Sequence, residues 1–456
     1  MNIKNLINKQ REFFKTNETK NITTRIKTIK TIKKWIINNE HLILDALQKD
    51  LNKHKTEAYM CEVGLVISEI NYQLKHIKKW SKDKKVPTPL SQFYGVSYES
   101  YEPYGVVLIM APWNYPFMLS LEPTIGALAA GNTVIIKPSA YAPNVSNIIK
   151  KMITETCSEK YVSVVEGGRD VNTELLDQKF DYIFFTGSVS VGKLVMEKAS
   201  KYLTPVTLEL GGKSPCILDD KKHIKLAAKR IAFGKFLNAG QTCVAPDYLL
   251  IREDLKEDFI NNIKESINTL FGENPIENEQ LVKIINKKHF ERLTNLLENQ
   301  DIVIGGKANS STLKIPPTVV DNVNPNNPLM QEEIFGPILP IITYKNIEEA
   351  INFITDREKP LALYVFSNNK NIQNQILKSC SFGGGCINDT IIHLASNKLG
   401  FGGIGNSGMG SYHGKKSFDT FSHTRSIVKK ANWIDLPFRY YPYTSLKENL
   451  IRFFLK

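Results

Sequence analysis

Residues 182–194 read Tyr182-Ile183-Phe184-Phe185-Thr186-Gly187-Ser188-Val189-Ser190-Val191-Gly192-Lys193-Leu194. An apolar run over Tyr182–Thr186 predicts a strand, and Ser190–Tyr202 has helical character, so the stretch is a strand, a turn and a helix start. Gly187 and Gly192-Lys193 also match the opening of a phosphate-cradling loop, G-x-x-x-x-G-K. That loop needs Ser or Thr after its Lys to ligate Mg²⁺, and Leu194, which stands there, cannot coordinate a cation. No apolar strand ending in Asp stands out as a partner metal site. Nucleotide hydrolysis is therefore disfavoured. A glycine permitting close approach, a hydroxyl and the free N–H groups of a helix start suit a pyrophosphate that is bound without being hydrolysed. A simple strand-to-helix turn reads the same way from this stretch alone.

The alternation continues on both sides. Strands are expected at Gly105–Met110, Thr133–Lys137, Tyr161–Glu166 and Val206–Leu210, with helices at Phe117–Ala130 and Val145–Glu155 between them. Strand-helix-strand repetition at this spacing predicts an α/β fold, a parallel sheet with helices on both faces. Ligands of such sheets lie beyond the carboxyl ends of the strands, where Pro112-Trp113-Asn114, Lys137-Pro138-Ser139 and Thr186-Gly187-Ser188 fall. Upstream, Ile29, Ile32, Trp35 and Ile36 recur at helical spacing, and residues 1–80 read as helices. The proline-bearing stretch from Ser81 to Gly105 reads as an extended arm at a sheet edge. Further strands are expected at Asp247–Arg252, Ile338–Tyr344 and Ala362–Phe366, and a helix at Leu255–Leu270. The glycine-rich segment 400–423 reads as a structured loop.

With 456 residues, 42% of them hydrophobic, the chain is long enough for two or three ordinary globular domains. Its net charge of +13 raises nucleic acid or an anionic membrane as partners, but the basic residues are scattered and only short clusters such as Lys82-Asp83-Lys84-Lys85 occur, so no nucleic-acid partner is expected. Six cysteines without a C-x-x-C pair fit a reducing cytosol rather than a disulfide framework. The first residues lack a signal-peptide pattern and the longest apolar run, Val106–Pro112, is too short to span a bilayer, so a cytoplasmic location is expected.

Four more places carry residue types that do chemistry. Cys243 follows Gly240 in a polar turn after an apolar helix, a setting that either buries a small core thiol or presents a nucleophile with backbone N–H donors nearby. Gln241-Thr242-Cys243 faintly resembles a cysteine-protease nucleophile, but the expected Gly and a nearby His are missing. Glu209 ends an apolar strand before Gly211-Gly212, as an ion-paired carboxylate or a general base with a raised pKa. Asn114 at a strand end either donates to a developing oxyanion or caps a helix. Glu332, Glu333 and Phe335 precede a Gly-Pro turn.

Taken in order, P-W-N-x-P, x-K-P-S, F-T-G-S, L-E-L-G-G-K, G-Q-x-C and E-E-x-F-G-P make the chain resemble the aldehyde dehydrogenase superfamily from about residue 5 to about residue 440. Residues 400–423 and the short N-terminus are most similar to the class 3 and fatty aldehyde branch. The resemblance implies a Rossmann-like cofactor domain at 1–82 and 105–208 and an α/β catalytic domain at 209–398. It further implies a small β oligomerisation arm and structured loop at 83–104 and 399–432, with an amphipathic tail at 433–456.

By the same resemblance Cys243 is the nucleophile, Asn114 and the Cys243 N–H hold the oxyanion, and Glu209 activates the water that hydrolyses a thioester. Glu333 and Phe335 would hold the nicotinamide ribose. Lys137 would reach the adenosine ribose, and Thr186, Gly187, Ser188, Gly211 and Trp113 would line the rest of NAD or NADP. Ala140 stands where many members carry a Glu that binds the ribose 2′-hydroxyl; without that carboxylate a 2′-phosphate meets no repulsion, and use of both coenzymes is expected. A homodimer and an apolar aldehyde substrate are expected partners. Leu446, Leu450, Phe453 and Phe454 share one helical face of the tail, which would dock on the protein's own surface, cover the aldehyde tunnel or touch an anionic membrane, while Lys447, Glu448, Arg452 and Lys456 fall largely elsewhere. The competing reading is a thiol esterase using Cys243 and Glu209 without redox chemistry.

Overall fold

A computed structural model describes residues 2–455; Met1 and Lys456, at the outer ends of the expected first domain and tail, lie outside the described residues. The strand at the heart of the sequence reading runs Tyr182–Gly187, and Ser188 precedes a helix over Val189–Ser200. This strand belongs to a six-stranded sheet in the order 408–409, 206–210, 182–187, 106–110, 133–137, 162–164. All are parallel except Gly408–Met409, which pairs antiparallel with Leu208 and Glu209. Val106–Met110 and Thr133–Lys137 are buried at every position, the pattern of parallel strands covered on both faces. Counted along the chain from Val106–Met110, the parallel strands lie in the order 3-2-1-4-5. The winding direction reverses between Val106–Met110 and Tyr182–Gly187, and the crevice beyond their carboxyl ends is where such sheets hold ligands. Helix Val189–Ser200 packs close to the sheet at Gly192, where a Cβ would lie 2.6 Å from Leu210 Cδ2.

A seven-stranded sheet follows, ordered 301–304, 318–321, 338–344, 248–252, 215–218, 362–366, 384–387, with only Asp301–Ile304 antiparallel to its neighbour. The third sheet is an antiparallel ribbon of Lys84–Val86, Gly95–Pro103 and Ser422–Lys430. The N-terminal segment is helical, as its periodicity predicts, with helices Ile22–Asn38 and Gly64–Trp80 packed on the fully buried helix Met118–Ala130 and helix Glu40–Leu51 packed on Pro143–Thr156. Between Ala58 and Gly64 the backbone widens into a π turn, Tyr59–Val63, which turns Glu62 inward.

Three expectations shift. The strand expected at Tyr161–Glu166 is only Val162–Val164. The change of sheet falls between Leu210 and Pro215, because Glu209 lies inside a strand of the first sheet rather than at a boundary. Segment 399–432 does not act only as arm and loop: Gly408–Met409 joins the first sheet and helix Lys415–Thr420 packs on Met118–Ala130. The tail forms helix Ser445–Phe454, held by stacking of Phe454 on Phe438 at 5.5 Å and by contact with Leu90–Gln92, while Leu446 and Phe453 stay exposed. Among the described residues no helix is long and apolar enough to cross a membrane, and no group of three or more His, Cys, Asp or Glu could hold a metal.

Candidate active site

Helix Ile224–Phe236 ends in three left-handed residues, Asn238 (φ 53°), Ala239 (φ 52°) and Gly240 (φ 71°), before the turn that carries Cys243. Such backbone persists only where its surroundings fix it. Here the Asn238 N–H donates to the Glu57 carboxylate at 2.9 Å, and the Asn238 side-chain amide donates to the carbonyls of Asn114 at 3.0 Å and Gln241 at 3.2 Å. The Gln241 amide donates to the carbonyls of Asn238 and Lys283, each at 3.1 Å, and its oxygen accepts from the Ile285 N–H at 3.0 Å. Cys243 is thus presented from a turn whose polar groups are paired apart from the Asn238 side-chain oxygen.

The half-buried thiol lines a largely apolar pocket of about 160 Å³ with Tyr115, Leu119, Phe233, Leu237 and Phe401. Burial pushes its pKa up to about 12, reinforced by the Glu333 and Glu209 carboxylates and opposed by the N–H groups of Cys243 and Val244. Beside it, the Asn114 side-chain amide donates to the Gln241 carbonyl at 3.0 Å, and the Tyr115 hydroxyl bonds the Thr242 hydroxyl at 2.7 Å.

Two carboxyl groups lie close enough to act on the thiol electrostatically. Glu209, registered between Thr186 and Gly408, is 3% exposed, and neither of its carboxylate oxygens has a hydrogen-bond partner. Burial raises its pKa well above the carboxylate range. The Glu333 carboxylate rests against Gly211, where a Cβ would lie 2.0 Å from Oε2; only a glycine admits it. Burial, then Asp247, raises Glu333 to about 8, with the Gly212 N–H, Lys213 and Arg292 opposing.

The remaining expected residues lie along the first-sheet crevice. Thr186 is buried with an unpartnered hydroxyl, and Gly187 and Ser188 lead into the helix start. The Trp113 and Phe335 rings meet edge-on at 5.4 Å, with Phe335 at φ 49°. Lys137 donates to the Pro138 carbonyl at 2.7 Å; burial lowers it to about 8, opposed by Glu166. Lys137 and Ala140 line a second cavity of about 570 Å³ with Ser139, Arg169, Ser190 and Leu194, whereas Lys193 is exposed outside it. A cavity ending in a buried cation and a helix start, continued by an orphaned hydroxyl and a glycine cradle, has the donor set that a dinucleotide needs.

Several residues at the site escaped the sequence reading. Lys53 and Glu62 form a fully buried pair behind Asn114, with Nζ–Oε1 at 2.6 Å. Lys235, eight positions before Cys243, is 0% exposed with no partner for its ammonium. Burial lowers it to about 8, with Asp247 and Glu333 opposing. Arg169 faces the Lys137 cavity. The available signal was weak: Lys53 sits in a Lys-rich stretch that reads as solvated surface, and Lys235 breaks an otherwise apolar helix face.

Residues 1–427 match the aldehyde dehydrogenase family. The chain is 49% identical over 444 residues to 4,4'-diaponeurosporen-aldehyde dehydrogenase of Staphylococcus aureus, covering 97% of each. It is 43% identical over 429 residues to the dimeric NADP-preferring aldehyde dehydrogenase of Rattus norvegicus, covering 94% of this chain and 95% of that one. A solved structure of the substrate-bound state of Staphylococcus aureus AldH superposes with a TM-score of 0.98 at 48% identity, over 100% of both chains. This chain belongs to the aldehyde dehydrogenase family and is an enzyme that oxidises aldehydes.

Proposed function

We propose that the chain converts a long or otherwise apolar aldehyde, of fatty, terpenoid or carotenoid type, to the carboxylic acid through a thiohemiacetal and a thioester on Cys243. The observation that carries this reading is the placement of Cys243 in an apolar pocket, with the Asn114 amide held on the neighbouring Gln241 carbonyl and two high-pKa carboxyl groups acting on the thiol. The Cys243 thiol passes its proton to the Glu333 carboxylate, and the sulfur adds to the carbonyl carbon. The Asn114 amide turns from the Gln241 carbonyl to the new oxyanion, joined by the Cys243 N–H; one such donor is worth ~2.7–4 kcal/mol of transition-state stabilisation. A nicotinamide dinucleotide, when bound, supplies the hydride acceptor. Glu209, whose oxygens have no competing partner, then takes a proton from the water that attacks the thioester.

Lys137, Thr186, Gly187, Ser188, Gly211, Trp113, Phe335 and Glu333 hold the coenzyme. Both NAD and NADP are used, because Ala140 leaves the cavity beside Lys137 without a carboxylate to repel a 2′-phosphate. The rat relative, named as NADP-preferring and dimeric, supports dual use and a homodimer joined through the arm. The diaponeurosporen-aldehyde relative supports an apolar substrate. No residue of helix Ser445–Phe454 lines the pocket of its own chain. Its exposed apolar face suits a second copy's tunnel mouth or a membrane surface of a cytoplasmic, peripherally attached enzyme. Deleting residues 444–456 is expected to impair long-chain aldehydes more than short ones.

The test is a rate matrix of aldehyde chain length against NAD and NADP, with Cys243→Ala as blank. Reduced-nicotinamide absorbance that requires both aldehyde and coenzyme, and rates that rise with chain length, are expected. Turnover of esters without any aldehyde-dependent absorbance would point to the esterase reading instead.

A further inference from the structure

Lys53 and Glu62 have side chains that are 0% exposed, and their charges meet at 2.6 Å. The same Lys53 ammonium donates to the Asn114 carbonyl at 3.3 Å and lies 4.4 Å over the Tyr115 ring. The second Glu62 oxygen accepts the N–H groups of Phe117 at 2.9 Å and Met118 at 3.3 Å, at the start of the buried helix Met118–Ala130. One ion pair therefore grips the chain at residues 114, 115, 117 and 118. A buried pair of this kind adds little net stability, since desolvating two charges offsets their attraction. Its distinctive effect is geometric.

We infer that the Lys53–Glu62 pair is the positioning device of the oxyanion donor, fixing the Asn114 backbone so that only its side-chain amide moves. In the structure that amide is committed to the Gln241 carbonyl at 3.0 Å, so to meet an oxyanion it must turn about its own side-chain bonds. Lys53, with Asn238 on the same carbonyl, keeps the main chain still while it does so. The effect reaches the thiol by a second route, because Tyr115, under the Lys53 ammonium, bonds Thr242 next to Cys243. This inference rests on the reading of Asn114 as oxyanion donor.

The experiment compares two reactions of Cys243 in the full-length enzyme without coenzyme. Alkylation by iodoacetamide displaces iodide and builds no oxyanion. Acylation by p-nitrophenyl acetate moves the acetyl group to the sulfur through a tetrahedral oxyanion and releases p-nitrophenolate. In the Lys53→Met/Glu62→Met double variant, acylation is expected to slow by about 10- to 100-fold while alkylation stays within about twofold. Unchanged acylation in the folded double variant, or a parallel fall of both rates, overturns the inference. Asn114→Ala run alongside separates the two layers. If it leaves acylation intact, the oxyanion role of Asn114 fails; if it slows acylation and the double variant does not, only the Lys53–Glu62 inference fails. Glu62→Gln keeps an acceptor for the helix start without the charge; should the double variant not fold, its two rates are judged by the same outcomes.

Discussion

The two flanks of Cys243 are built on opposite plans. On the Asn114 flank most polar groups have a partner, the Asn238 side-chain oxygen excepted: Lys53 with Glu62, the Asn238 amide nitrogen with Asn114 and Gln241, Gln241 with Lys283 and Ile285. On the carboxyl flank Glu209 has two orphaned oxygens, Thr186 an orphaned hydroxyl and Lys235 an orphaned ammonium. Buried polar groups without partners are costly, and a fold tolerates them where a ligand or water completes them. One flank is all but complete when the chain folds, whereas the other is completed only by what it binds. Fixed hydrogen-bonded geometry should therefore reside on the first flank and chemistry with unmet demand on the second.

That contrast can be broken at four points. The largest effect is expected from Glu209→Gln: steady-state turnover falls by about 10²–10⁴-fold because a general base is lost. A first-turnover burst of reduced coenzyme should remain, and the melting temperature should not drop, since no hydrogen bond is removed. A fall in melting temperature would show that Glu209 is structurally paired after all. Asn238→Ala should do the reverse. It removes one of two donors from each of the Asn114 and Gln241 carbonyls and costs about 1–3 kcal/mol of stability for the two hydrogen bonds together, at ~0.5–1.5 kcal/mol each, read by thermal or denaturant unfolding.

The third point is pH dependence. Glu333, raised to about 8, is neutral near pH 6 and an anion near pH 9, where it opposes ionisation of Cys243. Glu333→Gln should therefore speed iodoacetamide alkylation by roughly tenfold near pH 9 and leave it unchanged near pH 6, a shift of about one pKa unit. Equal rates at both pH values would remove Glu333 from the thiol's surroundings. The smallest effect concerns the outer cavity. Ala140→Glu should lower the ratio of NADP to NAD efficiency by about fivefold, the size of a solvent-screened repulsion between like charges. An unchanged ratio would refute the role given to Ala140.

Apart from Lys235, the carboxyl flank was legible in the sequence, and the Asn114 flank was only half so. Thr133–Lys137, Val206–Leu210, Ile338–Tyr344 and Ala362–Phe366 are strands over the expected residues, because continuous apolar runs are a local signal. Asn114, Glu209 and Cys243 stood at strand ends or turns that periodicity can locate. Lys53 and Glu62 could not be found that way, since a lysine among lysines becomes a buried group only when a distant helix start arrives to meet its partner. Gly408–Met409 escaped for a similar reason: two residues carry no period, and their strand character comes entirely from Leu208 and Glu209. Leu194, whose side chain has no atom to ligate a cation, lines the outer cavity.

The antiparallel ribbon also sets an order of assembly. Gly95–Pro103 pairs with Ser422–Lys430 across nine registered positions, although more than three hundred residues separate them along the chain. During synthesis the first partner emerges well before the second and waits for it until residues 422–430 have been made. Both large sheets can close before then, except for the Gly408–Met409 edge, because the rest of their strands come from residues 106–387. The ribbon is therefore the last sheet to be completed. A newborn chain stalled before Ser422 would expose one unpaired edge of Gly95–Pro103, the place where premature association of unfinished chains would begin.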